Sequence, residues 1–314
     1  MRKQWIVLAL AMCWPAPGFA QENGGEPSTL ACNDFRNEAT RALAQSPDTL
    51  QVNNLLFEAA RKGCVSALDS LLGAGASLQA RDRMGNNALA NAARMGRLAF
   101  VKALLAAQKP ADAGQIDRAN VAGSTPLIQA AQANRAAVAK LLIEVGAKVD
   151  AVNRQGETAL SVAAFNGDDE LAEMLIARKA APDTTDATGK GVIVYAAARG
   201  AAHIVELLLD AGVDPNRRYR ADLTPLMWAA GHADNVAEAQ GLRTVEILLS
   251  RGAKIDLVDD RGRSALMIAA GLDHAAIAKV LVGAGADRAL RDKTGKTAAD
   301  LAGGAEARAI VAAP

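Results

Sequence analysis

The chain has 314 residues, 51% hydrophobic but only 3% aromatic, and its charge nearly balances at +1. That balance gives no electrostatic case for nucleic acid or an anionic membrane surface as partner, and a core drawn from alanine, leucine and valine packs at low volume. With three histidines and three cysteines in the whole chain, there is little material for a metal centre.

Residues 1–20 have the layout of a secretory signal peptide. Arg2 and Lys3 precede an apolar run from Trp5 to Trp14, then come Pro15, Pro17 and Gly18, and Ala20 stands before Gln21-Glu22. The run of ten residues falls short of the roughly 20 needed to span a bilayer. No other apolar stretch is free of charges for long enough, so no membrane insertion is expected after cleavage. Leu10-Ala11-Met12-Cys13 offers a lipidation cysteine, but methionine fits poorly where a small residue is expected, which makes a lipoprotein the weaker alternative. A short, alanine-rich signal is bacterial in character, and the periplasm is the expected location. Loss of Arg2 and Lys3 takes the net charge from +1 to −1.

Residues 21–48 read as a linker and a capping helix. Thr29 to Gln45 places Cys32, Phe35, Ala39 and Ala42 on one stripe, suited to cover the end of whatever follows. Without Cys13 the remaining pair is Cys32 and Cys64, and an even pair in an oxidising compartment invites a disulfide. The bond would staple the cap in place and contribute ~3 kcal/mol. The alternative is two unpaired thiols.

Residues 49–314 repeat one phrase. Asn120-x-x-Gly123-x-Thr125-Pro126-Leu127-x-x-Ala130-Ala131 returns as Asn153-x-x-Gly156-x-Thr158-Ala159-Leu160-x-x-Ala163-Ala164 and as Asp259-x-x-Gly262-x-Ser264-Ala265-Leu266-x-x-Ala269-Ala270. The marker falls at Gly85, Gly123, Gly156, Gly189, Asp222, Gly262 and Gly295, with spacings of 38, 33, 33, 33, 40 and 33. A first copy lacking its opening turn runs from about Val52, and the last shortens into Glu306–Ile310, giving seven repeats and a partial capping repeat. Thr125-Pro126 suits a first helical turn, the alanine pair allows close helix packing, and Gly63, Gly96, Gly167 and Gly200 sit where a left-handed residue would end the first helix. A second helix carries Val-x-x-Leu-Leu, and Asp/Asn-x-x-Gly reads as a tight turn in which the side chain bonds its own backbone.

This unit of helix, turn, helix and β-turn finger resembles the ankyrin repeat, on the strength of Thr-Pro-Leu-x-x-Ala-Ala recurring in register from about residue 49 to 303. The resemblance implies an all-α solenoid. Two departures stand out. The histidine usual after Thr-Pro-Leu is replaced by Ala90, Ile128, Ser161, Val194, Met227 and Met267, and the fifth repeat has Gly191-Val192-Ile193 in place of Thr-Pro-Leu, which predicts a locally softer unit.

No catalytic pattern appears. His203, His232 and His274 lack zinc-site spacing and read as surface or loop residues. Gly189-Lys190-Gly191 is too short for a phosphate loop, and no Gly-x-Ser-x-Gly elbow or His-Glu-x-x-His is present. Asp82, Asp186, Asp259 and Asp292 recur because a turn needs them. No cofactor is expected.

In ankyrin-like arrays the variable positions around the finger glycine and after the alanine pair line the concave face. Here they are Arg83, Met84, Asn86, Arg94 and Met95, then Arg154, Gln155, Glu157, Phe165 and Asn166, then Arg199, Arg220 and His232. Tyr195 and Trp228 take equivalent inner-helix positions, where they serve either as interface anchors or as core. The arginines alternatively form a solvated face. Two insertions interrupt the period: Ala106–Gln115, expected as a surface loop, and part of Gly231–Gly241, expected to lengthen the turn between the two helices of the sixth repeat. The resulting expectation is a non-catalytic scaffold that binds an exported enzyme or envelope protein. Two alternatives stand: an enzyme or small-ligand receptor around His232 and Asp234, and a role beyond the outer membrane.

Overall fold

The computed structural model describes residues 29–108, 114–232 and 236–312. The signal expected over 1–20 and linker residues 21–28 lie outside it, as does Asp234. Among the described residues the chain forms 17 α-helices and no sheet. After the cap α1 (Thr29–Leu43), helices pair by repeat: α2 (Thr49–Lys62) with α3 (Leu68–Gly73), α4 (Ala88–Arg94) with α5 (Leu98–Ala107), α6 (Pro126–Gln132) with α7 (Ala136–Glu144), and α8 (Ala159–Asn166) with α9 (Asp169–Ala177). There follow α10 (Val192–Ala198) with α11 (Ala202–Asp210), α12 (Pro225–Ala230) with α13 (Glu238–Ser250), α14 (Ala265–Gly271) with α15 (Ala275–Gly283), and α16 (Ala298–Leu301) with α17 (Ala305–Ala312). First helices contact first helices from α2 to α16, and second helices contact second helices from α5 to α17, so the fold is two stacked rows.

Local chemistry sets the repeat. Thr125 Oγ1 accepts the Ile128 N–H at 3.3 Å with Pro126 in the first turn. In the second repeat Asn87 caps instead, through Ala90 N–H at 2.8 Å. Every alanine pair from Ala59-Ala60 to Ala269-Ala270 is at most 1% exposed, which brings the two rows into backbone proximity. Where the family histidine is absent, Ile128, Met227 and Met267 fill the space by packing.

At the N-terminus α1 buries Phe35 and Ala39 against the array, and Cys32 is bonded to Cys64 with a Cα–Cα distance of 5.1 Å. At the other end the first helix is cut to the four residues of α16.

The three irregular segments take the following form. The sixth-repeat insertion does more than lengthen a turn: it extends α13 to 13 residues, and Gly241 on that helix packs against the ring of His232. In the first insertion, residues 109–113 lie outside the described set, while Gln115 is buried and its carbonyl accepts from Asn87 Nδ2 at 3.0 Å, so this end of the segment is tied down. In the fifth repeat Gly191 supplies no side-chain cap, as its sequence implies, yet all seven residues of α10 are buried. A Cβ at Gly191 would lie 2.2 Å from Tyr219 Cε1. Tyr219, standing where other fingers have Asp or Asn, occupies the space of the missing threonine. Its hydroxyl donates to Asp183 Oδ1 at 2.9 Å, Arg217 lies 5.3 Å above its ring, and Arg217 pairs with Asp183.

Candidate functional site

Except in the sixth repeat, where Tyr219 holds the slot, each finger is a self-satisfied turn. Asp82 Oδ1 accepts the Met84 and Asn86 N–H groups, each at 2.9 Å, and Gly85 N–H closes the turn onto Asp82 O at 2.8 Å. Burial pushes the Asp82 carboxyl upward, but bonds from Asn91, Asn86 and Met84 outweigh it and hold the group below the ordinary carboxylate value. Asn120, Asn153, Asp186, Asp259 and Asp292 repeat the pattern.

Successive finger tips are joined by backbone bonds. Val121 N–H donates to Met84 O at 3.0 Å, Arg154 to Ala122 at 2.9 Å, Ala187 to Gln155 at 2.8 Å, Arg220 to Gly189 at 3.1 Å, Asp260 to Ala221 at 3.0 Å and Lys293 to Arg261 at 2.9 Å. The tips therefore form one continuous ledge. Close approach demands glycine beneath it: a Cβ at Gly156, where φ is +77°, would lie 2.8 Å from Ala187 N. The first repeat has no finger, so the ledge ends at Arg83. A cavity of about 690 Å³ opens there, lined by Gln51, Leu55 and Arg61 of α2 together with Arg83 and Met84.

Mid-array, side chains of the fourth to sixth repeats converge. Phe165 meets Tyr195 edge-on at 5.9 Å, and Arg199 lies 5.5 Å over Phe165. Lys190 Nζ sits 5.7 Å from the Tyr195 ring and 6.0 Å from that of Trp228. Tyr195 OH donates to Asp186 Oδ2. Burial pushes Asp186 up, yet the bonds from Tyr195, Lys190 N–H and Thr188 keep it below the usual carboxylate range. Burial lowers the Lys190 ammonium, Asp186 opposes that and Arg220 adds to it.

The expected strip residues separate by exposure. Arg83, Met84, Arg94, Arg154, Gln155 and Arg220 are exposed, and Met95, Phe165, Asn166 and Arg199 are partly buried. Asn166 Nδ2 ties back to Ala131 O at 3.0 Å and to Asn134 Oδ1 at 2.8 Å. Asn86, Glu157, Tyr195, Trp228 and His232 are buried. Glu157 Oε2 accepts from Asn153 at 2.8 Å and Gln132 at 3.1 Å, which links two repeats. His232 departs from its expected surface position. It stacks on His274 at 4.2 Å with the rings 7° from parallel, and His274 Nδ1 lies 2.9 Å from Ala230 O. His203 is exposed beside Glu173. Sequence reasoning missed Lys190, Asp183, Arg217 and Tyr219; the visible signal was Tyr219 in an Asp/Asn slot. Among the described residues no cluster of three or more His, Cys, Asp or Glu has metal-holding geometry, and no helix is long and apolar enough to cross a membrane.

An array of helix pairs with a hydrogen-bonded finger ledge defines a repeat solenoid. The family model described as ankyrin repeats (3 copies) matches residues 56–153, 89–186, 160–239 and 235–312, and the chain belongs to the ankyrin repeat family. Ankyrin repeats commonly mediate protein–protein interaction, and proteins built from them are generally non-catalytic scaffolds. No curated protein matches the sequence significantly.

Proposed function

We propose that this chain is an exported, non-catalytic scaffold of the bacterial periplasm, which holds a partner protein, an exported enzyme or an envelope protein, along the finger ledge. The observation that carries the proposal is the ledge itself: backbone-bonded tips present Arg83 and Met84, Arg154 and Gln155, and Arg220 at the surface on alternate repeats. Repeats stacked at about 10 Å each give a span ample for a standard interface of roughly 800 Å² per partner. The layout of residues 1–20 supports export, and the Cys32–Cys64 bond suits an oxidising compartment.

Photo-crosslinking residues placed at Gln155 and Thr188 on the ledge, and at Lys102 and Glu246 on the second-helix row, test the interface in cells. Crosslinks to a partner from the ledge positions alone are expected; equal yield from α5 and α13 would refute it. Fractionation and amino-terminal sequencing test export, with Gln21 expected as the first residue of the periplasmic form.

A further inference from the structure

The ledge has an unfinished end. In later fingers the residue after the Asp or Asn slot sends its N–H back to the tip before it, as Val121 does to Met84 O, Arg154 to Ala122 O and Lys293 to Arg261 O. Arg83 holds that position in the first finger of the ledge, and among the described residues no backbone carbonyl accepts its N–H. The register explains why. Counting 33 back from residues 82–86 gives 49–53, which are helical: α2 has 14 residues, where the first helices from α4 to α14 have six to eight. Carbonyls inside a helix bond within it, and the amides of its first turn only donate, so α2 offers Arg83 no acceptor. Between the two lies the cavity of about 690 Å³, walled on its third side by Ala42, Gln45 and Pro47 around the end of α1. That volume falls within the roughly 300–1,000 Å³ of ligand pockets.

The lining is rich in donors and carries an apolar wall. Glu58 is held by Lys62 at 2.7 Å, and Asp82 is occupied by its own turn and by Asn91. Arg61 and Arg83 enter no ion pair among the described residues, so their guanidinium groups are the uncommitted charges of the cavity. Beside them Leu55 is half-buried and Met84 is 60% exposed. Each of these four side chains is at least partly open to solvent, so a ligand reaches it. Resting on the scaffold reading above, we infer that this cavity takes the free carboxyl terminus of a partner polypeptide whose last side chain is apolar. The carboxylate pairs with Arg61 and Arg83, the peptide carbonyl before it accepts the Arg83 N–H and adds one rung to the ledge, and the last side chain lies on Leu55 and Met84. Edge addition and capture of a terminal carboxylate are both general modes of peptide recognition. The walls favour a terminus over a passing segment, because a chain following the ledge past Arg83 meets α2 and the end of α1.

The test titrates the full chain against fluorescein-Gly-Ser-Gly-Ser-Ala-Leu with a free carboxyl terminus, read by anisotropy. Binding is expected, and the carboxyl-amidated peptide should bind at least about tenfold more weakly. A final serine in place of leucine should cost about fivefold. R61Q/R83Q should lose at least about tenfold in affinity for the free acid with an unchanged melting temperature, and R154Q, two fingers further along the ledge, should bind like the native chain. The peptide comparisons need no variant, so a folding defect cannot decide them. The inference is overturned by equal binding of the amidated or the serine-ended peptide, by undiminished binding to R61Q/R83Q, by no binding of the free acid at millimolar concentration, or by sodium acetate displacing the probe as well as unlabelled peptide does. The scaffold reading fails separately: crosslinks at Gln155 and Thr188 that persist when the peptide results fail remove the terminal carboxylate and keep the interface, whereas their absence in the native chain removes the interface while peptide binding is still measured.

Discussion

Replacing Gly191 with threonine restores the residue that begins the first helix in most repeats, and consensus logic expects a gain. The structure predicts a loss. Backbone angles are not the obstacle, for φ −87° and ψ 165° suit threonine, and its hydroxyl would contribute about 1 kcal/mol as a cap. The new Cβ, however, would lie 2.2 Å from Tyr219 Cε1, 2.7 Å from Cζ and 2.9 Å from the hydroxyl. Forcing a methyl-sized group into a packed site costs about 1–3 kcal/mol. Displacing the ring also breaks the 2.9 Å bond to Asp183, worth about 1 kcal/mol net, and exposes a side chain that is now 6% exposed. Against the cap, the sum is a destabilisation of roughly 2 kcal/mol. Urea unfolding followed by far-ultraviolet circular dichroism on the native chain, G191T, Y219N and G191T/Y219N measures it. Y219N alone should lose stability by opening a cavity, and the double variant should recover with a coupling of roughly 2 kcal/mol. G191T as stable as the native chain, or double-variant effects that add within about 0.5 kcal/mol, would refute the reasoning.

Three further outcomes are expected. Cys32→Ser should remove roughly 3–4 kcal/mol, since the bond spans 32 residues; hydrogen exchange should quicken in α1 and α2, and quickening spread evenly over all repeats would contradict the staple. The chain has two tyrosines, Tyr195 and Tyr219. Burial, then the hydrogen bonds to and charges of Asp186 and Asp183, push both phenols above the ordinary value. Folded pKa values raised in this way give stability that is complete below about pH 10 and is lost as pH rises beyond it. Absorbance at the phenolate band should therefore rise only with unfolding, and an ordinary titration step with intact circular dichroism would be the contrary result. Asp186 is held low, so its contribution is present above about pH 4 and is lost as pH falls through its folded value. Asp186→Asn should accordingly be less stable at neutral pH with a shallower acid decline, and matching urea midpoints for variant and native chain at both ends of that range would contradict it.

Much of the fold was legible because it is local. The turn at Asp82 closes within four residues, the Thr125 cap within three, and the left-handed Gly63 and Gly167 end their own helices, so each signal lies within a few positions of its effect. Periodicity then carried that chemistry along the array. The exposed half of the candidate surface was equally legible: Arg83, Arg154 and Arg220 sit at turn positions whose direction the repeat dictates. Family membership and the two-row helical solenoid follow from these features alone.

What the sequence could not decide lies between repeats. Tyr219 fills the gap at Gly191 from 28 positions away, His232 stacks on His274 across 42, and Glu157 is drawn inward by Gln132 of the preceding unit. Trp228, equally eligible as anchor or core on its position, is buried with its N–H unmet. Each outcome depends on the shape and hydrogen-bonding capacity of a neighbour set by stacking, which no pattern within a single repeat encodes. The period thus determined where residues stand; only the packed array decided which remain at the surface and which became part of the wall.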